Sequence, residues 1–369
     1  GQSHSRGRNI WGVNLQIDVT LQRCCASKII LNFYSVMMGD RLGAGKERKN
    51  MLKVNNLTKV FSLEKSIFSK ERNSFKAVNE VCLNIKDGEI FSIVGESGSG
   101  KSTLGKMIVG LLKPDAGEIF FEGKNIRNLS GKELKKIREN IQIVFQDPYA
   151  SLNPKMTIEK ILMEPLLVHK RGDKAYCRKK AEEVIQTVGL KVEDLKRYPH
   201  EFSGGQRQRI CIARAIILEP KLLVCDEAVS ALDVLVQTQI INLLKELQEK
   251  YHMAYIFISH DLAVVRYISD RIGVMYAGEL VEYGEKQQIF ENPTHPYTKL
   301  LISSIPSVDP ENVDEKTEIT TKKEGDISKS GCCPFYYRCE EFSDYCMSYH
   351  HEYFEVEKNH FVMCCNSRR

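Results

Sequence analysis

The 369-residue chain has no apolar run of the roughly 18 residues or more needed to cross a bilayer. Its longest candidate, Ile29 to Met38, is interrupted by Asn32, Tyr34 and Ser35. Service to a membrane is therefore expected from outside the lipid. The body also lacks an excess of either charge. The formal net charge of +5 arises in residues 1–50, where eight Lys/Arg face three Asp/Glu; the other 319 residues hold 45 of each sign. A neutral body provides no basic footprint for nucleic acid. Tryptophan is nearly missing (Trp11 alone), and no internal repeat is visible. Cysteine is not scarce but is unevenly placed. Cys24 and Cys25 lie near the start, Cys82, Cys177, Cys211 and Cys225 are scattered, and the remaining six of twelve fall within residues 332–365. Scattered thiols of this kind suit a reducing compartment.

Residues 1–50 begin at Gly1 and show no sustained period. Met51 then opens Leu52-Lys53-Val54-Asn55-Asn56-Leu57-Thr58, a plausible first strand. Met51 is the expected natural start, with residues 1–50 a non-native or disordered leader, either a translated upstream region or a cloning remnant. Lys46-Glu47 can be encoded as a ribosome-binding sequence, with three codons between it and Met51. A flexible natural extension is the alternative. From 51 to about 290 short apolar runs alternate with amphipathic stretches, the pattern of an α/β protein with a mostly parallel sheet. Strands are expected at 88–94, 141–145, 221–226 and 254–259, and helices at 101–112, 131–139, 174–188, 206–218 and 235–250. The mostly helical stretch 147–218 reads as an inserted subdomain. Residues 291–330 read as a helical extension and linker, and 331–369 as a Cys-rich extension.

Gly95-Glu96-Ser97-Gly98-Ser99-Gly100-Lys101-Ser102 follows the apolar run Ile90 to Val94 and fits the P-loop pattern. Its glycines let backbone N–H groups turn inward around phosphate, and the following helix directs its positive end at the anion. Lys101 would reach the β- and γ-phosphates, while the Ser102 hydroxyl would ligate Mg²⁺. Leu222 to Glu227 is an apolar strand ending in two carboxylates. Asp226 suits holding the water ligands of Mg²⁺, and Glu227 suits a general base that orients the attacking water. His260, after Ala254 to Ile258, could sense the γ-phosphate, and Gln146, after Ile141 to Phe145, could contact Mg²⁺ or water. Taken alone, an acidic pair, a histidine or an amide at a strand end is ordinary surface chemistry. Company with the P-loop gives these residues roles. Phe202-Ser203-Gly204-Gly205-Gln206 forms a second glycine-rich loop about a hundred residues further on, and it suggests that two chains close over ATP.

These residues resemble the ATP-binding subunits of ABC transporters, in the family's order and over about 240 residues. Gly95 to Ser102 looks like Walker A, Gln146 like the Q-loop and Phe202 to Gln206 like the signature motif. Leu222 to Glu227 looks like Walker B, Ser230-Ala231-Leu232-Asp233 like the D-loop, and His260 like the switch histidine. The resemblance implies a RecA-like P-loop NTPase core with an antiparallel β part and an inserted helical subdomain. It implies that Gly95 through Thr103, with Asp226 and Asp233, serve ATP and Mg²⁺. It also implies that Ser203, Gly204, Gly205 and Gln206 present a helix end to the γ-phosphate held by a partner. Phe61 is the expected stacking aromatic for adenine, with Phe75 as competitor. One departure is Ala228, where the family usually has proline.

Asp147 to Pro154, Tyr198-Pro199-His200-Glu201 and His295-Pro296-Tyr297-Thr298 narrow the likeness to the oligopeptide/dipeptide permease ATPases, which include nickel-uptake members. The motif order most resembles the second of the two ATPases such systems carry. The expected partners are a homologous ATPase in a heterodimer, two transmembrane permease subunits and, indirectly, an extracellular solute-binding protein. The expected location is the cytoplasmic face of the cell membrane. Peptide is the expected solute, with nickel or another small solute behind it. A soluble ATPase acting on ribosomes or DNA is the alternative, disfavoured by the single cassette and the neutral body. Cys333-x5-Cys339-x6-Cys346-x17-Cys364 also matches the end of many peptide-permease ATPases, as do Gly331, Phe335, Arg338 and His360-Phe361-Val362. The likeness implies a 4Fe-4S cluster on four thiolates, with zinc as the other Cys₄ occupant and a metal-free tail as the third case. Cys332 and Cys365 are adjacent spare ligands; Tyr336 and Tyr337 depart from the family's usual residues.

Overall fold

A computed structural model describes residues 49–62, 74–230, 232–305, 333–348 and 352–368. Residues 1–48 of the expected leader, most of the linker and Cys24, Cys25 and Cys332 lie outside the described residues, whereas Asn50, expected in the leader, opens β1 and pairs with Lys86. Two sheets organise the chain. The first is antiparallel, in the order β2-β1-β4-β5, from β1 (Asn50–Ser62), β2 (Ser74–Lys86), β4 (Ala116–Phe121) and β5 (Lys124–Asn125). The second has eight strands in the order β11-β12-β10-β9-β3-β8-β7-β6. Its parallel part comprises β3 (Ile90–Val94), β6 (Ile141–Val144), β7 (Leu222–Asp226), β8 (Ala254–Ile258) and β9 (Arg271–Tyr276). Antiparallel strands β10 (Glu279–Glu285), β11 (Phe354–Glu357) and β12 (His360–Val362) extend one side.

The uninterrupted apolar runs of β3, β7 and β8 follow from burial on both faces, because every residue of these strands is buried. Alternate side chains serve different cores. Phe91, Ile93, Val224, Ile256 and Ile258 pack with Leu52, Val54 and Val78 of the antiparallel sheet and with Leu104 and Met107. Ile90, Val94, Leu223, Tyr255 and Phe257 pack with Ile210, Leu244 and Val265 on the opposite side. Each fully buried aliphatic or aromatic side chain contributes about 1.5–3 kcal/mol.

The helices are α1 (Lys101–Ile108), α2 (Gly131–Asn140), α3 (Pro148–Ser151), α4 (Ile158–Val168), α5 (Lys174–Thr187), α6 (Gly204–Ile216), α7 (Val234–Tyr251), α8 (Leu262–Ile268), α9 (Lys286–Glu291) and α10 (Pro296–Ser303). Helix α1 stops four residues before its expected end. Gly110 takes a φ of 71° there, Leu111 N–H donates to Lys106 O at 2.9 Å, and Gly110 N–H donates to Met107 O at 3.0 Å. That pattern closes a helix with a left-handed glycine.

The Cys-rich tail is built into the main sheet. Val362 and Phe361 pair with Glu282 and Tyr283 of β10, and Phe361 stacks on Tyr283 with ring centroids 4.8 Å apart. Buried Glu282 ties this edge together. Its Oε1 accepts from Thr294 N–H at 2.8 Å and lies 2.7 Å from His360 Nε2, while Oε2 accepts from His295 N–H at 2.9 Å. His295 caps α10, its Nδ1 accepting from Tyr297 N–H at 3.0 Å. Burial pushes the His295 imidazole down to about 4 from 6.5. Between those values the unfolded chain binds more protons than the native one, so stability rises with pH. This contribution is present above pH 6.5 and is lost as pH falls towards 4, about 3 kcal/mol in all. His295→Asn keeps a capping acceptor and should flatten that limb in urea melts across the same pH range.

Candidate active site

The four loops after β6, β7, β8 and β3, neighbours in the parallel sheet, carry the residues that matter. Side chains at the carboxyl ends of adjacent parallel strands converge on one crevice, the usual ligand position in such sheets. After β3 the chain turns through Gly95, Gly98 and Gly100, with φ of 150°, 79° and 100°. A Cβ on Gly95 would stand 2.1 Å from Met275 O, and one on Gly100 would stand 2.1 Å from Ala77 O. Gly98 meets nothing within 4 Å and, with Ser97, faces open space. The β9–β10 turn braces the loop, Gly278 N–H donating to Ser99 O at 3.0 Å. This rigid cradle then opens α1, whose first turn carries Lys101, Ser102 and half-buried Thr103.

Lys101 is buried and folds back over the loop. Its Nζ donates to Gly95 O at 2.8 Å, Glu96 O at 2.7 Å and Ser99 Oγ at 3.2 Å. Burial lowers its pKa, while Glu227, Asp226 and Glu96 act in the opposite sense. A desolvated ammonium held only by neutral oxygens is suited to trade them for phosphate. Ser102 Oγ donates to Asp226 Oδ1 at 2.6 Å. Burial raises the Asp226 pKa, and the Ser102 hydroxyl lowers it.

Glu227 is the hub. Gln146 Nε2 donates to its Oε2 at 2.8 Å, and His260 Nδ1 lies 3.6 Å from its Oε1. Gln146 Nε2 also reaches Ser230 Oγ at 3.4 Å, a contact the sequence reading did not assign. Glu227 has a φ of 48°, left-handed for a non-glycine residue, a conformation costing of order 1–3 kcal/mol. Its N–H donates to Ile258 O at 3.0 Å, which fixes the turn off β7. Because the Gln146 amide nitrogen is spent on Glu227, its oxygen remains for another partner. Ser102 and Asp226, in direct contact, and the Gln146 amide carry oxygen atoms of the kind Mg²⁺ takes.

The second glycine loop is a capping box. Ser203 Oγ accepts from Gln206 N–H at 3.3 Å, and Gln206 Oε1 accepts from Ser203 N–H at 3.0 Å, with α6 beginning at Gly204. These bonds stay within the loop, so no contact among them joins it to the P-loop of the same chain. A Cβ on Gly205 would lie 2.3 Å from Val236 Cγ1, so close packing on α7 demands glycine. Asp233 caps α7, its Oδ1 accepting from Val236 N–H at 3.0 Å. Phe61 and Phe75 oppose each other across β1 and β2 with ring centroids 5.8 Å apart. The expected adenine platform and its competitor therefore share one end of the hairpin.

The cysteine tail gathers its thiols beside backbone donors. Cys333 N–H donates to Cys346 O at 3.2 Å, and Ser343 Oγ lies 3.7 Å from Cys346 Sγ. Backbone N–H groups of Phe335, Glu341 and Asn366 address the sulfurs of Cys333, Cys339 and Cys364. Among the described residues, however, no three His, Cys, Asp or Glu side chains stand in an arrangement that could hold a metal ion. Burial dominates the thiols instead, pushing Cys333 and Cys364 up and Cys339 to about 11. The thiols of Cys333, Cys339, Cys346 and Cys364 are nonetheless electrostatic neighbours of one another.

The fold and the crevice define a P-loop ATPase of the ATP-binding cassette class. The family described as ABC transporter matches residues 78–230, and the one described as oligopeptide/dipeptide transporter, C-terminal region, matches residues 281–346. The oligopeptide transport ATP-binding protein AppF of Bacillus subtilis (strain 168) is 45% identical over 86% of this chain and 97% of its own length. The corresponding OppF of Haemophilus influenzae is 44% identical over 85% of this chain and 96% of its own. Among solved structures, the ADP- and phosphate-bound dimer of the MJ0796 cassette is 34% identical, with a TM-score of 0.57, over 64% of this chain and 99% of that one. The chain belongs to the ATP-binding proteins of the oligopeptide/dipeptide ABC transporter family, and it is an ATPase.

Proposed function

We propose that this ATPase powers uptake of small peptides, working as one half of a cassette pair on the cytoplasmic face of two membrane permeases. One observation carries the two-chain reading: α6 begins in a capping box whose bonds stay within its own loop, leaving that N-terminal helix end to a second phosphate. The other helix end, at Lys101, belongs to this chain's own nucleotide. No described helix is long and apolar enough to cross a membrane, in keeping with a subunit that docks on others. The names of AppF and OppF, together with the match over residues 281–346, support peptide as the solute, and the dimer of the MJ0796 cassette supports a second cassette as partner.

In the proposed cycle Lys101 and the N–H groups of the loop hold the ATP phosphates, and Phe61 or Phe75 stacks on adenine. Mg²⁺ would supply charge neutralisation at the phosphates, held by Ser102 and Gln146, with Asp226 holding its water ligands. Glu227 accepts a proton from the attacking water, held in aim by Gln146, and His260 stands on its other oxygen. Ser203 to Gln206 close on the partner's γ-phosphate, so hydrolysis releases the pair.

Co-expression with the partner ATPase and the two permeases in membrane vesicles, supplied with the solute-binding protein, tests the reading. ATP-dependent accumulation of a labelled oligopeptide is expected; accumulation of nickel alone, or none, overturns the peptide assignment. For the cysteine tail, a 4Fe-4S cluster with zinc behind it is supported by the four-cysteine spacing, the mutual nearness of the four thiols and the N–H groups aimed at sulfur. Metal analysis after anaerobic purification decides it, and a colourless, metal-free protein removes both.

A further inference from the structure

Two residues 242 positions apart meet fork to fork. Arg338 Nη1 donates to Glu96 Oε2 and Nη2 donates to Oε1, both at 2.9 Å. Glu96 is the second residue of the phosphate loop, whereas Arg338 precedes Cys339 in the tail. The pair has a built support. Phe335 is fully buried, edge-on to Tyr276 at 5.2 Å, 5.5 Å from the Tyr297 ring and 5.7 Å from the Arg338 guanidinium. Tyr276 bonds Arg338 as well, and the Tyr297 hydroxyl accepts from Glu96 N–H at 2.9 Å. Glu96 is thus held twice, by its backbone from α10 and by its carboxylate from the tail. Arg338 responds with a pKa raised by this bond.

The chemistry of Glu96 makes that grip consequential. A carboxylate in a phosphate cradle repels the incoming anion, and it lies near enough to Lys101 to act on its ammonium. Left alone, it has two ways to oppose ATP: direct repulsion, and capture of the lysine that phosphate needs. A bidentate guanidinium removes both, because it fixes the carboxylate in plane and neutralises it.

We propose that Arg338 is a positioning residue for ATP, holding the Glu96 carboxylate away from Lys101 and the phosphates, so that the C-terminal tail completes the phosphate loop. Lys101 is then free to exchange its loop carbonyls for nucleotide.

The test uses the full chain with fluorescent ATP for affinity and steady-state turnover for KM and kcat. Arg338→Gln, which keeps the length of the stem, should raise the ATP Kd and KM about tenfold, with kcat at saturating ATP little changed. In the Glu96→Gln background the same Arg338 substitution should change Kd by less than about twofold, because no carboxylate is left to restrain. Arg338→Lys keeps a cation without the fork and should give a smaller loss, also erased by Glu96→Gln. It serves if Arg338→Gln does not fold. Unchanged ATP affinity in a folded Arg338 variant overturns the proposal. So does a loss that persists when Glu96 is also replaced, since that would mark a tail needed only for folding.

Discussion

Glu227→Gln is expected to bind ATP with near-native affinity while hydrolysis falls by about two to four orders of magnitude. The substitution preserves the shape of the side chain and its contact with Gln146, but not the ability to take a proton. The left-handed backbone at Glu227 and its 3.0 Å bond to Ile258 O belong to the main chain and survive it. The loss therefore reports chemistry and not a collapsed loop. Since ATP then persists between the chains, the variant with its partner should accumulate as a nucleotide-bound dimer on size exclusion. Turnover within tenfold of the parent would remove Glu227 as the base. His260, 3.6 Å away and half in solvent, should matter less, because it contacts Glu227 without replacing it.

Much of this crevice was legible in the sequence, and the reason is physical. Apolar strands in a parallel sheet end in loops at one edge, so a phosphate motif after β3 fixes the place where carboxylates after β7 and a histidine after β8 must arrive. Gln146, Asp226, Glu227 and His260 each stand at the end of a short apolar run in the sequence, and the resemblance to ABC ATPases implied their roles. What stayed hidden depends on contacts between distant segments. Nothing near Glu96 announces that its carboxylate is taken by Arg338, and nothing near His360 announces the buried Glu282 that anchors it. In sequence His295-Pro296-Tyr297-Thr298 is only a family mark; in the fold His295 is a helix cap and the Tyr297 hydroxyl holds the P-loop backbone. Strand pairing likewise drew β12 onto β10, where composition had suggested a separate extension. Cysteine spacing could state which thiols are available, but not that burial would push Cys333, Cys339 and Cys364 up.

Lys101→Met should weaken ATP binding by about 30- to 1000-fold, the cost of removing one partner of a desolvated charge pair. The nucleotide-free protein should respond in the opposite sense. There the ammonium is buried against two carbonyl oxygens and a hydroxyl, and burial already depresses its pKa. Its charge is therefore a net expense in the empty loop, and methionine fills much the same volume without it. Thermal unfolding without nucleotide should leave the variant as stable as its parent or more so. With saturating ATP the parent should gain stability and the variant should not, because only a ligand bound to the native state shifts the melt. A variant destabilised in both conditions would mean that Lys101 serves the loop's structure. Undiminished ATP affinity would mean that the cradle of backbone N–H groups suffices and that the phosphate does not call on Lys101. The expected crossing of the two melts ties the lysine to phosphate, since a lysine that merely braced its loop would give loss without nucleotide as well.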